Sequence, residues 1–351
     1  MKNKNNPNIK HLAIPSLRIV GEYRHPSGCR VVDIFVADPY ADNEPIVRRK
    51  ITDTVENEFI PQIQEHIRTR GKQFKRGEDN PVSQKLYSLS PVLRKWKSHM
   101  PTAMALYPLQ KPQNSKLADG TAFDGVSRDY FTHALDGVGL RSRAITMSRL
   151  MHDHFFEHQV DNINWLSLAS GAAIPVFEAA TALDVHRKSI HLTLADISGK
   201  ALKFAVELAK NEYDLSGNIE TKKMNILRLN KLKKDFGQEN YDAIDILGFL
   251  EYIPEKKWRY KPGLVFPGAI DFLKTAYALL KPGGILVFGN MSDQHPHLIF
   301  TINVVQWPFI QPRSIDELIG LVEKAGINPN NLDLFRISDN VYYVGAIYKN
   351  A

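Results

Sequence analysis

The residues Asn164-Trp165-Leu166-Ser167-Leu168-Ala169-Ser170-Gly171-Ala172-Ala173-Ile174-Pro175 decide how the rest of this chain is read. Apolar residues through Leu168 spell a buried strand, a run of minimal side chains from Ala169 to Ala173 makes a turn, and Val176 to Leu183 continues as a helix. Small side chains at a strand-to-helix turn let main-chain N–H groups approach a ligand, and the helix N-terminus adds partial positive charge. The meaning of such a turn depends on its surroundings.

Downstream of about Arg141 the pattern alternates regularly. The spacing predicts a helix over 144–158, a strand over 164–168, a helix over 176–183, a strand over 190–196 and a helix over 199–212. Strands near 219–223 and 241–247 follow, then a helix over 269–280, a strand over 285–290 and a helix over 315–325. The final strands, 332–337 and 342–348, are separated only by Ser338 to Val341, so they form an antiparallel hairpin. Strands alternating with long helices imply βαβ units in a doubly wound, mostly parallel, Rossmann-like sheet.

The first 140 residues read differently. A hairpin is expected from Leu17 to Ala37 around Pro26-Ser27-Gly28, and a helix from Pro45 to about Arg70 that Pro61 breaks or kinks. Residues Gly71 to Asp124 mix Pro-bearing loops with short apolar pieces and give no clear pattern. The expected organisation is an N-terminal α+β accessory or lid region, 1–140, and an α/β domain, 141–351.

A hydrophobic content of 43% and a charged content of 24% fit a globular protein. The single cysteine, Cys29, excludes an intramolecular disulfide and a cysteine-rich zinc site, and points to a reducing compartment. Met1 to Lys10 are polar, with no apolar signal region after them, and no apolar run approaches the length of a membrane span. A cytoplasmic protein without a transmembrane segment is expected. The net charge of +7 is confined to the N-terminal part, with 23 Lys and Arg against 15 Asp and Glu through Arg143 and 22 against 23 beyond it. That excess fits a phosphate-bearing substrate, an anionic membrane surface or RNA. No basic motif interleaved with aromatics accompanies it, so a solvated surface is the plainer reading and nucleic acid is not the expected partner.

The turn Ser167-Leu168-Ala169-x-Gly171-x-Ala173, the strand ending in Asp196, the Leu279 to Phe288 segment and the closing hairpin resemble the class I S-adenosylmethionine-dependent methyltransferases over 141–350. Their first motif runs acid, hydrophobic residue, Gly-x-Gly-x-Gly. Here Ser167 replaces the carboxylate that usually helps hold the methionine amino group, and alanine occupies two of the three glycine positions. The resemblance implies that Asp196 accepts the ribose hydroxyls, although an Asp before Ser198 could instead cap the helix beginning at Gly199. It places Ile197, Asn225 and Ile226 beside the ribose and adenine, with Asn225 otherwise an ordinary turn residue. Leu247 and Gly248 would border the cofactor, and Glu251 and Tyr252 would face the substrate. Pro282 and Gly283-Gly284 form a helix-turn-strand signature of the fold.

Arg143, or Arg141, could pair with the methionine carboxylate, or be a surface arginine. The Asp136 to Arg143 phrase and the Trp307 to Ser314 segment also resemble a bacterial methyltransferase group known mainly as hydrolase-associated domains. His152, His154 and His158 share a helix but lack a metal-ligand pattern, so no metal is expected. His295 and His297 follow the fifth strand of the domain, where loops overhang a ligand crevice, and join Glu251 and Tyr252 as candidates for a base or a substrate-orienting group. The implied activity is methyl transfer from S-adenosylmethionine to a small-molecule or lipid-like acceptor by in-line displacement. Two alternatives stand beside it: an NAD(P)-dependent oxidoreductase, which normally lacks the closing hairpin, and a non-catalytic cofactor- or RNA-binding module.

Overall fold

The computed structural model describes residues 17–74, 78–184, 188–261 and 264–350. The polar start, Met1 to Lys10, lies outside the described residues. The expected N-terminal hairpin forms as β1 (Leu17–Arg24) and β2 (Arg30–Val36). The long helical pattern that follows is one rod, α1 (Pro45–Thr54), a π-helical turn (Val55–Phe59) and α2 (Ile60–Arg70). Proline lacks an N–H and its ring crowds the carbonyl one turn back, and the wider π turn just ahead of Pro61 accommodates both without ending the rod.

The segment without a clear pattern contains α3 (Pro81–Ser88), α4 (Pro91–Lys97) and α5 (Ala103–Gln110), followed by α6 (Gly125–His133). Proline stands at the first position of α3 and α4, after Asn80 and Ser90, whose side chains accept from the free N–H groups of Ser83 and of Val92 and Leu93. Next comes α7 (Leu135–Glu157), which begins nine residues ahead of the expected Ala144. The Asp136 to Arg143 phrase is therefore inside the helix and not before it. Gly139 is required there by close packing, since a Cβ would lie 2.4 Å from Cβ of Val341.

The α/β part runs β3 (Asn162–Leu168), α8 (Ile174–Asp184), β4 (Ser189–Asp196), α9 (Gly199–Glu212), β5 (Ile219–Lys223), α10 (Leu229–Phe236) and β6 (Tyr241–Ile246). A small separate hairpin, β7 (Trp258–Lys261) with β8 (Leu264–Phe266), precedes α11 (Ala269–Leu279) and β9 (Leu280–Met291). The chain ends with α12 (Leu298–Asn303), α13 (Ile315–Lys324), β10 (Leu332–Ile337) and β11 (Tyr342–Tyr348). The last two strands are the expected antiparallel hairpin. β9 starts earlier than expected because Leu280 already pairs with Tyr241, and the ladder then shifts through Pro282 and Gly283, whose φ is 75°.

One sheet of nine strands results, ordered β1-β2-β10-β11-β9-β6-β3-β4-β5. The pairs β2 with β10, β9 with β6, β6 with β3, β3 with β4 and β4 with β5 are parallel, and the others are antiparallel. The N-terminal hairpin thus extends the same sheet. Alternation along the strands divides the core: Trp165, Leu194 and Val287 face the helices of the N-terminal part with α7 and α8, whereas Leu166, Ile246 and Phe288 pack against α11 and α13. Chain direction reverses its progress across the sheet between β3 and β6. A crevice opens at the carboxyl ends of strands at such a switch point. Among the described residues no helix is long and apolar enough to cross a membrane.

Candidate functional site

The crevice at the switch point is walled by the small-residue turn, by Ser167, Asp245, Leu247 and Gly248, and by Arg143 from α7. Ala169, Gly171 and Ala173 have φ of 56°, 55° and 54°, so every second residue of the turn is left-handed. Each alanine bears a steric cost of about 1–2 kcal/mol there, which the packed surroundings must hold. Gly171 cannot be replaced as easily, because a Cβ would also come 3.0 Å from Cβ of Ala103 at the start of α5. The turn is pinned from the next strand: Asp196 Oδ2 accepts from Gly171 N–H at 2.9 Å, and Oδ1 accepts from Ser198 N–H at 2.7 Å. Capping of α9 falls to Ser198, whose hydroxyl accepts from Ala201 N–H, and not to Asp196.

Within the crevice, Ser167 stands opposite Asp245 in the β3–β6 ladder and donates to its Oδ2 at 3.0 Å, while Trp165 Nε1 donates to Oδ1 at 2.8 Å. Burial pushes the Asp245 carboxyl up to about 7, against those bonds and the Leu247 N–H, which favour the ionised form. Arg143 is 3% exposed, its Nε and Nη1 have no hydrogen-bond partner, and its nearest carboxylate oxygen is Glu251 Oε1 at 3.6 Å. A buried guanidinium with unused donors is set for an anionic ligand group.

Leu106, Arg143 and Gly248 also border a second, more apolar chamber. Trp96, Leu109, Tyr130 and Trp307 supply its greasy walls, and Asp136, Glu251, Tyr252 and Tyr342 its polar ones. Glu251 accepts from Met291 N–H, and burial raises its pKa while Arg143 opposes the shift. Tyr252 accepts from Trp307 Nε1 at 2.7 Å, and burial raises its pKa as well. Asp136, in the first turn of α7, accepts from Thr301 Oγ1 at 2.9 Å and bonds His295 Nε2 at 3.1 Å. His297 N–H donates to His295 Nδ1, so a neutral His295 carries its proton on Nε2 and directs it at Asp136.

No family model matches the chain, and no curated protein matches it. A protein described as a possible exported protein from Bordetella parapertussis is 17% identical, with 88% of this chain and 97% of that one covered at a TM-score of 0.59. The CurJ carbon methyltransferase is 13% identical, with 85% and 81% covered at a TM-score of 0.50. The fold is that of the class I S-adenosylmethionine-dependent methyltransferases.

On this class I frame, Arg143, Ser167, Ala169, Gly171, Ala173, Leu247 and Gly248 come together as crevice walls. Asp196 borders them through Gly171, and Met224 N–H donates to the Asp196 carbonyl, which brings Asn225 alongside. Asn225 also closes its own turn by accepting from Leu227 N–H; Ile197 is 65% exposed at the strand end, and Ile226 is buried in the α11 side of the core. Arg141, the alternative to Arg143, is committed elsewhere: it pairs with Asp38 at 2.7 Å and donates to the carbonyls of Leu109 and Thr132.

Glu251 and Tyr252 line the chamber, but His295 and His297 stand behind its wall, the first against Asp136 and the second 3.2 Å from Glu56. His154 packs against His158 and Tyr348. Sequence reasoning missed Asp136 and Asp245. A carboxylate interrupting the apolar run Ala243-Ile244-Asp245-Ile246-Leu247 was a readable signal, because a strand buried on both faces has no structural use for one.

Proposed function

We propose that this chain transfers a methyl group from S-adenosylmethionine to a small, largely apolar acceptor. The observation that carries the reading is the shared wall of Leu106, Arg143 and Gly248, which sets a polar crevice on the class I sheet against an apolar chamber. The crevice residues fit the cofactor: left-handed small residues keep side-chain bulk out of the turn, Arg143 has two donor atoms without a hydrogen-bond partner, and Asp196 lies at the end of the neighbouring strand. When bound, the cofactor supplies an activated sulfonium methyl and its own leaving group.

The chain's part is alignment and exclusion of water. Trp96, Tyr130 and Trp307 hold the apolar body of the acceptor, and helices α4 to α6 of the N-terminal region act as the roof of its pocket. For an acceptor that must lose a proton, Asp136 is the base, with His295 and Thr301 orienting its carboxylate. Glu251 sits beside Arg143 and serves to position that arginine.

Calorimetry and thermal shift with S-adenosylmethionine, S-adenosylhomocysteine and NAD(P) test the reading. Binding of the first two alone, weakened by Asp196→Ala, is the expected result; binding of NAD(P) alone, or of none, overturns it.

A further inference from the structure

Asp245 is 3% exposed, and no cationic side chain pairs with it among the described residues. Its donors, Trp165 Nε1, Ser167 Oγ and the Leu247 N–H, are all neutral, and they fill three of the roughly four acceptor positions of a carboxylate. An ionised carboxylate buried without a countercharge costs several kcal/mol, so such a group either stays protonated or meets a cation from outside. Asp245 has a route to one, because it lines the crevice directly. Across the same crevice stands Arg143 with two orphaned donor atoms. A carboxylate with no countercharge, in one cleft with a guanidinium that has Glu251 3.6 Å away yet keeps donor atoms unused, matches the two charges of an α-amino acid zwitterion.

We propose that Asp245 seats the α-ammonium of the bound cofactor's amino-acid end, with Arg143 taking its carboxylate, so that the acidic function absent at Ser167 is delivered from the adjacent strand. The proposal rests on the methyltransferase reading. Ser167 becomes a positioning residue: its hydroxyl holds Oδ2 of Asp245 and leaves the remaining acceptor position to the ligand. The ammonium is the countercharge that the chain's own residues do not give Asp245, and binding stabilises the ionised carboxylate.

The test is calorimetric and needs no turnover. The wild-type chain and Asp245→Asn are each titrated with S-adenosylhomocysteine and with its analogue in which hydrogen replaces the α-amino group. Wild type binds the analogue about 100-fold more weakly than the parent, and Asp245→Asn binds the two within about 3-fold of each other. Equal affinity of wild type for both ligands overturns the proposal, and that arm does not depend on how the variant folds. A discrimination that survives in Asp245→Asn overturns it as well. Failure of wild type to bind S-adenosylhomocysteine at all overturns the methyltransferase reading with it, whereas tight binding without discrimination overturns the ammonium seat alone.

Discussion

The crevice and the chamber share a wall and are made of opposite materials. The crevice is lined mostly by backbone and small side chains from two short stretches, 167–173 and 245–248, with the buried Asp245 among them and the buried Arg143 beside them. The chamber is bulky and aromatic, gathered from helices and loops between Trp96 and Tyr342. A site that must admit a rigid, polar group depends on what is removed from the chain, whereas a site for an apolar body depends on what is added from distant parts of it. The two should therefore fail independently when altered.

Asp136→Asn is the most severe way to probe that independence. It should lower kcat by about 10²- to 10⁴-fold on an acceptor that needs deprotonation, with S-adenosylhomocysteine affinity nearly unchanged. A parallel loss of that affinity would break the division between crevice and chamber. The two arginines of α7 sharpen it from the other side. Arg141→Leu leaves Asp38 buried without its partner and should cost about 3–5 kcal/mol in urea unfolding, while the refolded fraction still binds S-adenosylhomocysteine. Arg143→Leu should act mainly on binding.

A third effect bypasses both regions. Burial, reinforced by His158, holds the His154 imidazole down to about 4, below its ordinary value of 6.5. The unfolded chain then takes up a proton that the folded chain refuses, so stability falls as pH drops from 6.5 towards 4, by about 3 kcal/mol at most, and levels off below. His154→Phe should flatten that slope in denaturant titrations, and a slope that persists would assign the effect elsewhere. Trp307→Ala removes a chamber wall and should raise the acceptor KM about 10-fold or more without altering cofactor affinity. The smallest expected effect is in the turn itself. Ala169→Gly relieves a left-handed alanine, and the greater freedom of glycine in the unfolded chain offsets part of the gain, leaving stabilisation of up to about 1 kcal/mol by thermal melt.

Legibility followed the range of the interactions. The strands 219–223, 332–337 and 342–348 and the helix 199–212 form at their expected bounds, because periodicity and turn residues are local signals. The helices between Pro81 and His133 were harder, being short and apolar on several sides, although Asn80-Pro81 and Ser90-Pro91 carried usable start signals. The early start of α7 was hidden by Gly137 and Gly139, which are poor helix formers, and Gly139 finds its reason only in Val341 packed against the helix. His295 and His297 have the right residue type in the right loop, yet their rings point at Asp136 and Glu56, contacts spanning 159 and 241 residues of sequence.

The small-residue turn, Asp196 at the next strand end and the closing hairpin were determined by the sequence alone, since each follows from backbone sterics and pattern within a few residues. Which arginine borders the crevice, which carboxylate lies against Ser167, and which acids line the chamber were decided only by the tertiary structure. Arg141 and Arg143 differ by 200° around one helix. Asp245 becomes the neighbour of Ser167 only when β6 pairs with β3, and burial then pushes its carboxyl up to about 7.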